Sequence, residues 1–551
     1  MPVLVRRSLQ EIVARYDDGD KTELENLIRA FRIIQKLPAT NPDSWFVIAG
    51  YHGEPFVAED PNKDPDWWGG YCQHQTVLFP TWHRAYLHRL EQALRNAVPS
   101  ATDLALPFWD ECISYGTDEN PLPWIVTART LPIPVDNQTD NPFYSYTLQK
   151  ALADNHTTSD TNRYSKPAGY QTVRYPLSGL VGNDKDREAT ELHNSKWKNH
   201  EDAVKKLNLN VKEWLDGTVK IDTEDDGGAR VPDTFSVYSR YRICLEAPNY
   251  TVFSNKASMA QYIVEHGGQE HYGVALEEPH NAIHLALGGF YQKGVYNADP
   301  IRGANGDMGE NETAGFDPVF YLHHAFVDYA FWQWQLRHNV TAAGSLTVEA
   351  GKDGTFSGGD PVFPKGTPLD MRSPLEPFKQ PNGQVYTSED VTDIENQLGY
   401  TYGTGSLDQE LHTGPVLGGP RTAPIERVIS VSDINRADYS GSFVIRTAIE
   451  MPDGKLVEIG REAVLSRWSV AGCRNCQGHL NEQSFIAIDQ KTMTKIKGDR
   501  RSNKDVENSV RIYIQSREFP GEGDDSDRAD LPAVPGPGYR APRRQPVVKL
   551  L

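Results

Sequence analysis

His280 and His284, in "EEPHNAIHLAL", stand one helical turn apart, so on a helix both imidazoles project from one face toward a common point. A second stretch, "DPVFYLHHAFVD", carries His323 and His324 on a helix that is apolar nearly all round and is therefore expected to be buried. Buried imidazoles need partners. Neighbouring helical residues point about 100° apart, so only one of that pair can face the point shared by His280 and His284. Nearer the start of the chain, His52, His74 and His83 supply a second set of three. Neither set includes a carboxylate or an HExxH-type base. Two groups of three imidazoles suit copper better than calcium or magnesium, which take oxygen ligands; zinc also matches the ligand type. Three neutral histidines per metal leave positions open for a substrate or for dioxygen.

The elements that must hold these residues read mainly as helices. In "KTELENLIRAFRIIQKL", Leu24, Leu27, Ile28, Phe31 and Ile34 recur at helical spacing and Pro38 stops the run. "SWFVIAGYH" is a short helix ending on His52, and residues 81–97 form another, with Trp82, Tyr86, Leu90 and Leu94 near one face. Asp317 and Pro318 mark the start of the helix carrying His323 and His324, as N-cap and first helical residue. Between about 115 and 235 the chain is rich in Pro, Asn, Asp and Thr with weak periodicity, which predicts long surface excursions. After about Arg427 the texture changes to alternating runs, "GSFVIRTAIE", "KLVEIG", "SFIAID" and "VRIYIQ", with a turn at Pro452–Gly454 joining two of them. That pattern predicts a β-sandwich.

Composition narrows the partners. A chain of 551 residues, 38% of them hydrophobic, can bury a large core and more than one domain. A formal net charge of -19 argues against nucleic acid and anionic membrane as partners, because binding phosphates needs concentrated Lys and Arg. Small molecules or proteins are expected instead, and homo-oligomerisation is left open. The apolar run in "MPVLVRRSLQEIVARY" is too short for a secretory signal, which points to a cytoplasmic protein. The five cysteines are too few for a disulfide scaffold.

From about residue 20 to 403 the chain resembles the type-3 copper proteins: tyrosinases, catechol oxidases and haemocyanins. It is most similar to fungal-type tyrosinases. The resemblance is carried by "YHG", "GGYCQH", "TWHRAYL", "LPFWD", "TVRYP", "LEEPHNAIH", "DPVFYLHH", "PLEPF" and Tyr400-Thr401-Tyr402. It implies two copper ions, copper A on His52, His74 and His83 and copper B on His280, His284 and His324, with His323 a packed neighbour held by a hydrogen bond. It also implies a thioether bond between Cys72 and the His74 ring, which would fix an imidazole on a loop. Glu277, with Glu278 as the alternative, and Asn281 would hold a water that takes the proton of a monophenol. One departure is visible: the family's usual Asp-Arg pair after the double histidine is Asp328-Tyr329 here, and Phe331 replaces a Trp, so Asp328 needs another cation.

The resulting expectation is a mainly α catalytic domain, 1–403, with a four-helix bundle holding the dicopper site. A linker, 404–425, a C-terminal β-sandwich lid domain, 426–518, and a flexible tail, 519–551, would follow. The implied function is a copper-dependent phenol oxidase that ortho-hydroxylates monophenols and oxidises o-diphenols to o-quinones with dioxygen, latent until the lid is displaced. The alternatives are a catechol oxidase or o-aminophenol oxidase with little monophenol activity, and haemocyanin-like oxygen binding. Trp468 and Leu465 are the candidate side chains for plugging the site. Cys473 and Cys476 form a CxxC pair suited to carrying Cu(I), to a redox-labile disulfide, or to clipping a hairpin. The segment "GDMGENETAGF" is expected to line the mouth of the site, with Leu285 keeping it apolar.

Overall fold

Leu24, Leu27, Ile28, Phe31 and Ile34 are all buried on one side of the helix Thr22–Lys36, and that side packs on the helix Phe79–Ala97. Each such side chain contributes about 1.5–3 kcal/mol by leaving water. The computed structural model describes the chain except residues 1–2, 54–69, 154–164, 180–183, 196, 218–235, 269, 290–305, 360–361, 409–424, 440, 468–469, 471–473, 499–501, 517–538 and 541. The helices Trp45–Gly50, Phe79–Ala97, Glu277–Gly288 and Val319–His338 form the bundle around the histidines. Val319–His338 runs through the middle, and every residue from Val319 to Gln335 is buried, as its all-round apolar sequence requires. It begins one residue later than expected, at Val319. Asp317 still caps it, accepting the Val319 N–H at 3.1 Å while pairing with Arg174.

Asp328 on this helix has two cations. Arg84 donates to its Oδ1, and Arg6 Nη1 donates to Oδ2 at 3.3 Å. Tyr400 and Tyr402 each donate a hydroxyl to Oδ2 at 2.6 Å. The strand Tyr400–Tyr402 lies parallel to Leu4–Arg6, so the start and end of the helical domain close on one buried carboxylate. Tyr329, which stands where the family usually has Arg, donates to Asp408 at 2.8 Å.

The expected sandwich forms from two antiparallel sheets. One has the order Leu456–Val464, Phe443–Glu450, Val510–Ser516, Tyr539–Arg540; the other has Asn481–Asp489, Ile425–Asn435, Val547–Leu550. Ile429, Val431, Phe443, Ile445, Ile449, Ile486, Ile488 and Ile514 fill the space between them. Gly454 takes φ +84 in the predicted turn, a conformation that favours glycine.

Three boundary expectations change. The flexible tail is corrected at its end: Val547–Leu550 pairs with Ile425–Asn435, because Val548 and Leu550 have apolar partners in the sandwich core. The helical domain runs past 403, since Leu407 is fully buried and the Ser406 N–H bonds Asp110 at 2.8 Å; the rest of the linker, 409–424, lies outside the described residues. The 115–235 excursions include a core helix, His200–Asp216, whose Leu207, Val211, Trp214 and Leu215 are buried toward Glu277–Gly288. Their spacing was available in the sequence. Among the described residues no helix is long and apolar enough to cross a membrane.

Candidate metal centre

His280 and His284 project from one face of Glu277–Gly288 as the i,i+4 spacing requires, and His324 from Val319–His338 meets them. The Nε2 of His324 lies 3.3 Å from Nε2 of His280 and 3.3 Å from Nε2 of His284. The other ring nitrogens fix the tautomers: His280 Nδ1–H donates to Asn281 Oδ1 at 2.9 Å, and His284 Nδ1–H to the Met308 carbonyl at 2.8 Å. Each Nε2 lone pair then points into the shared space. His323 belongs to the same cluster, its ring nitrogen within 4.8 Å of those of His280, His284 and His324, but its Nδ1 is on Glu111 Oε1, and Tyr241 donates to the other Glu111 oxygen at 2.9 Å. Glu111, in "LPFWDECIS", was not singled out from the sequence. The signal was a pair of acids, Asp110 and Glu111, in an otherwise apolar run, and burial pushes the Glu111 pKa well up.

His52, His74 and His83 form the second group, from the end of one helix, a loop and the start of another; their coordinating nitrogens fall within 4.8 Å of one another. His83 donates Nδ1–H to the Phe79 carbonyl at 2.8 Å, leaving its Nε2 without a partner, and both ring nitrogens of His52 lack one. Gly70 is needed here. It has φ +72, and a Cβ on it would lie 2.1 Å from the His52 carbonyl oxygen, so only glycine lets the loop press against the His52 backbone. The two groups face each other, with His83 stacked on His324 at 4.5 Å between ring centres and His74 5.5 Å from His280.

Burial, and then the neighbouring imidazoles, hold the pKa values of His52, His74, His280 and His324 well below the ordinary range; burial brings His83 to about 3. The rings are therefore neutral donors. A buried ring nitrogen without a partner costs about 1–3 kcal/mol, and a cluster of them whose lone pairs converge is what a bound metal would satisfy. The all-nitrogen donor set fits copper and lacks the oxygen ligands of calcium or magnesium.

Cys72 is a buried thiol whose Sγ takes long contacts from Asn311 Nδ2 at 3.9 Å and Arg467 Nη2 at 3.7 Å. Arg467 belongs to the β domain, and nothing in the sequence pattern singled it out. Of the expected plug residues, Leu465 is buried, while Trp468 lies outside the described residues. Cys476 is buried and disulfide-bonded; Cys473 is outside the described residues. Glu277 accepts backbone N–H groups from Gln75 at 3.0 Å and Lys256 at 3.1 Å, and burial raises its pKa to about 7. Glu278 is also raised to about 7, by burial and then by Glu462 across the domain interface. The "GDMGENETAGF" segment is buried throughout and touches both sides of the centre, through Met308 on His284 and Asn311 on Cys72.

Two facing groups of imidazoles, buried except for the half-buried His74, make a candidate binuclear metal centre with nitrogen ligands. Residues 42–337 match the common central domain of tyrosinase. The chain is 44% identical over 500 residues to tyrosinase HcTyr2 of Hahella sp. (strain CCB-MM4), covering 88% of each chain. It is 40% identical over 530 residues to the tyrosinase of Aspergillus oryzae (strain ATCC 42149 / RIB 40), covering 92% of each. It is similar to the solved tyrosinase from Burkholderia thailandensis at low pH, with a TM-score of 0.73 and 40% identity, covering 93% of this chain and 94% of that one. The chain belongs to the tyrosinase family and is a copper-dependent phenol oxidase with a binuclear centre.

Proposed function

We propose that the protein ortho-hydroxylates monophenols, oxidises o-diphenols to o-quinones with dioxygen, and is latent as the full chain. The observation that carries the site assignment is the convergence of the His280, His284 and His324 Nε2 atoms opposite His52, His74 and His83. In this reading the first three hold copper B, the second three hold copper A, and His323 stays on Glu111. When bound, the copper pair supplies the redox chemistry with dioxygen. The chain's own residues hold the rings, exclude water and handle the phenol proton.

Glu277 acts through one ordered water as the base for a monophenol. A carboxyl raised to about 7 by burial is close in basicity to what general-base work near neutrality needs. Asn281 holds the His280 ring through Nδ1 and borders the same space. The thioether between Cys72 and His74 would anchor a ring that no helix carries.

Latency is supported by the contacts that tie the β domain to the rim of the centre. Lys256 Nζ is 2.7 Å from Glu462 and 3.3 Å from Glu482, and Arg240 is 3.1 Å from Glu462. Gln75, next to His74, donates its side-chain amide to Glu482 at 2.8 Å. Arg467 reaches Cys72. The domain scheme proposed is a catalytic domain reaching 408, a linker over 409–424 and a lid from 425 that includes the final strand. A cytoplasmic site of action belongs to the proposal and is tested by cell fractionation. Copper content should be two per chain. Oxygen uptake on a monophenol, a catechol and an o-aminophenol, before and after proteolysis within 409–424, tests the rest. Uptake on catechol or o-aminophenol alone would leave a narrower oxidase, and reversible oxygenation without turnover would overturn the enzyme reading.

A further inference from the structure

Lys166 is buried beneath the His284 side of the centre, 1% exposed, with Nζ 3.0 Å from Asp307 Oδ1 and 3.3 Å from Glu310 Oε2. Asp307 is saturated with donors. Its Oδ2 accepts from the Tyr170 hydroxyl and the Val173 N–H, each at 2.7 Å, and its Oδ1 accepts from Thr313 Oγ1 at 2.9 Å. Ion pairs this deep gain little net stability over apolar packing, so their retention asks for a role in fixing geometry. What they fix here is a 3-10 turn, Asp307–Gly309, whose middle residue offers its carbonyl to His284 Nδ1–H at 2.8 Å. The turn is pressed onto the histidine helix: a Cβ on Gly288 would fall 2.2 Å from the Gly309 nitrogen. The same segment continues to the other metal side, where Asn311 contacts Cys72 and a Cβ on Gly53 would meet the Glu312 carbonyl oxygen at 2.3 Å.

We propose that Lys166, Asp307 and Glu310 form a positioning device for the metal centre, holding the Met308 carbonyl so that His284 keeps the tautomer and ring direction that copper B requires. The chain of causes is short. Lys166 draws Asp307 and Glu310 together, Asp307 anchors the turn to Tyr170 and Val173, and the turn delivers one carbonyl to one imidazole. Partners that orient a metal-bound imidazole are typically worth 10–100-fold in metal affinity, and a residue one step further out is expected at the low end.

This inference rests on the reading of His284 as a copper ligand, which His284→Ala tests separately through copper stoichiometry. The experiment for the device uses the copper-loaded full chain and a titration with a Cu(I) chelator, with copper per chain read at each step. Asp307→Asn and Lys166→Met are expected to lose one copper at about tenfold lower chelator than the unaltered chain, and to keep the other. On oxidation, the copper left behind has no spin-coupled neighbour and gives an electron paramagnetic resonance signal that the intact pair lacks. Lys166→Arg should restore the unaltered titration. If Lys166→Met does not fold, Lys166→Met combined with Asp307→Asn leaves the cluster's net charge unchanged and carries the same expectation. Folded variants that keep both coppers as the unaltered chain does, or lose both together, would overturn the proposal.

Discussion

Lys256→Met should unlatch the β domain. Lys256 is 10% exposed and is shared by Glu462 and Glu482, which are 3% and 2% exposed, so the contact is nearly dry. Removing one partner of a buried ion pair costs about 3–5 kcal/mol. Arg240 still compensates Glu462, and Arg436 still compensates Glu482, which reduces the loss to about half. A closure equilibrium weakened by ~1.5–2.5 kcal/mol shifts roughly 10- to 70-fold. The intact variant should therefore oxidise catechol at least about tenfold faster than the intact unaltered chain, while the two proteolysed forms stay within about twofold of each other. Oxygen uptake by intact and cut protein at equal copper content measures both ratios. A folded Lys256→Met chain whose intact-to-cut ratio matches the unaltered one would refute the argument.

The same interface predicts how latency depends on pH. Burial alone would raise Glu482, but Arg436 and Lys256 hold it at about 2, against an ordinary 4.5. Its contribution to closure is fully present above pH 4.5 and is lost as pH falls through 2. The whole shift corresponds to ~3 kcal/mol, of which the Arg436 share survives opening, leaving about tenfold in the equilibrium. Glu278 acts in the opposite sense: burial and then Glu462 raise it to about 7, and the Glu462 share of that rise weakens closure as pH climbs toward 7. Latency should be firmest between the two values, about 2 for Glu482 and about 7 for Glu278, and relax on both sides, read as the intact-to-cut activity ratio against pH.

His280→Ala or His324→Ala should each lose a copper and nearly all oxygen uptake, measured by metal analysis on purified protein. Peptide mass spectrometry of the copper-loaded chain should find Cys72 and His74 linked and two hydrogens lighter; an alkylatable Cys72 in fully active enzyme would count against the thioether. Asn281→Ala and Glu277→Gln should lower turnover of monophenol more than of catechol, and equal losses on both would remove Glu277 as the base. Asp328→Asn leaves Arg6 and Arg84 facing a neutral amide among buried groups, so thermal unfolding should report a loss of about 3–5 kcal/mol.

The parts of this protein legible in its sequence are those in which one element carries the whole signal. His280 and His284 are a turn apart on one helix, and the apolar helix carrying His323 and His324 declares its own burial, so periodicity brings the two segments forward, while the choice of His324 over His323 comes from the family resemblance. The alternating runs after Arg427 and the turn at Pro452–Gly454 are equally local. What escaped the sequence is what two distant segments make together. Glu111 and His323 are 212 positions apart, and Arg467 and Cys72 are 395 apart, so no spacing rule connects them. Asp328 shows the middle case. Its altered neighbour, Tyr329, signalled that a cation was missing, but only the fold brings Arg84 from one helix and Arg6 from a strand to supply it.

The same distinction separates the metal ligands from the residues around them. The proposed copper ligands sit in short motifs whose spacing sets their geometry. The residues that hold those ligands in place are drawn from wherever the chain happens to pass. Met308 offers His284 a backbone carbonyl, which any residue could supply, so its position has to be enforced from outside, by Asp307 and the lysine behind it. Identity to tyrosinases over most of the chain points to the metal, and the contacts around Lys166, Lys256 and Arg467 are where the proposed positioning and closure are put to the test.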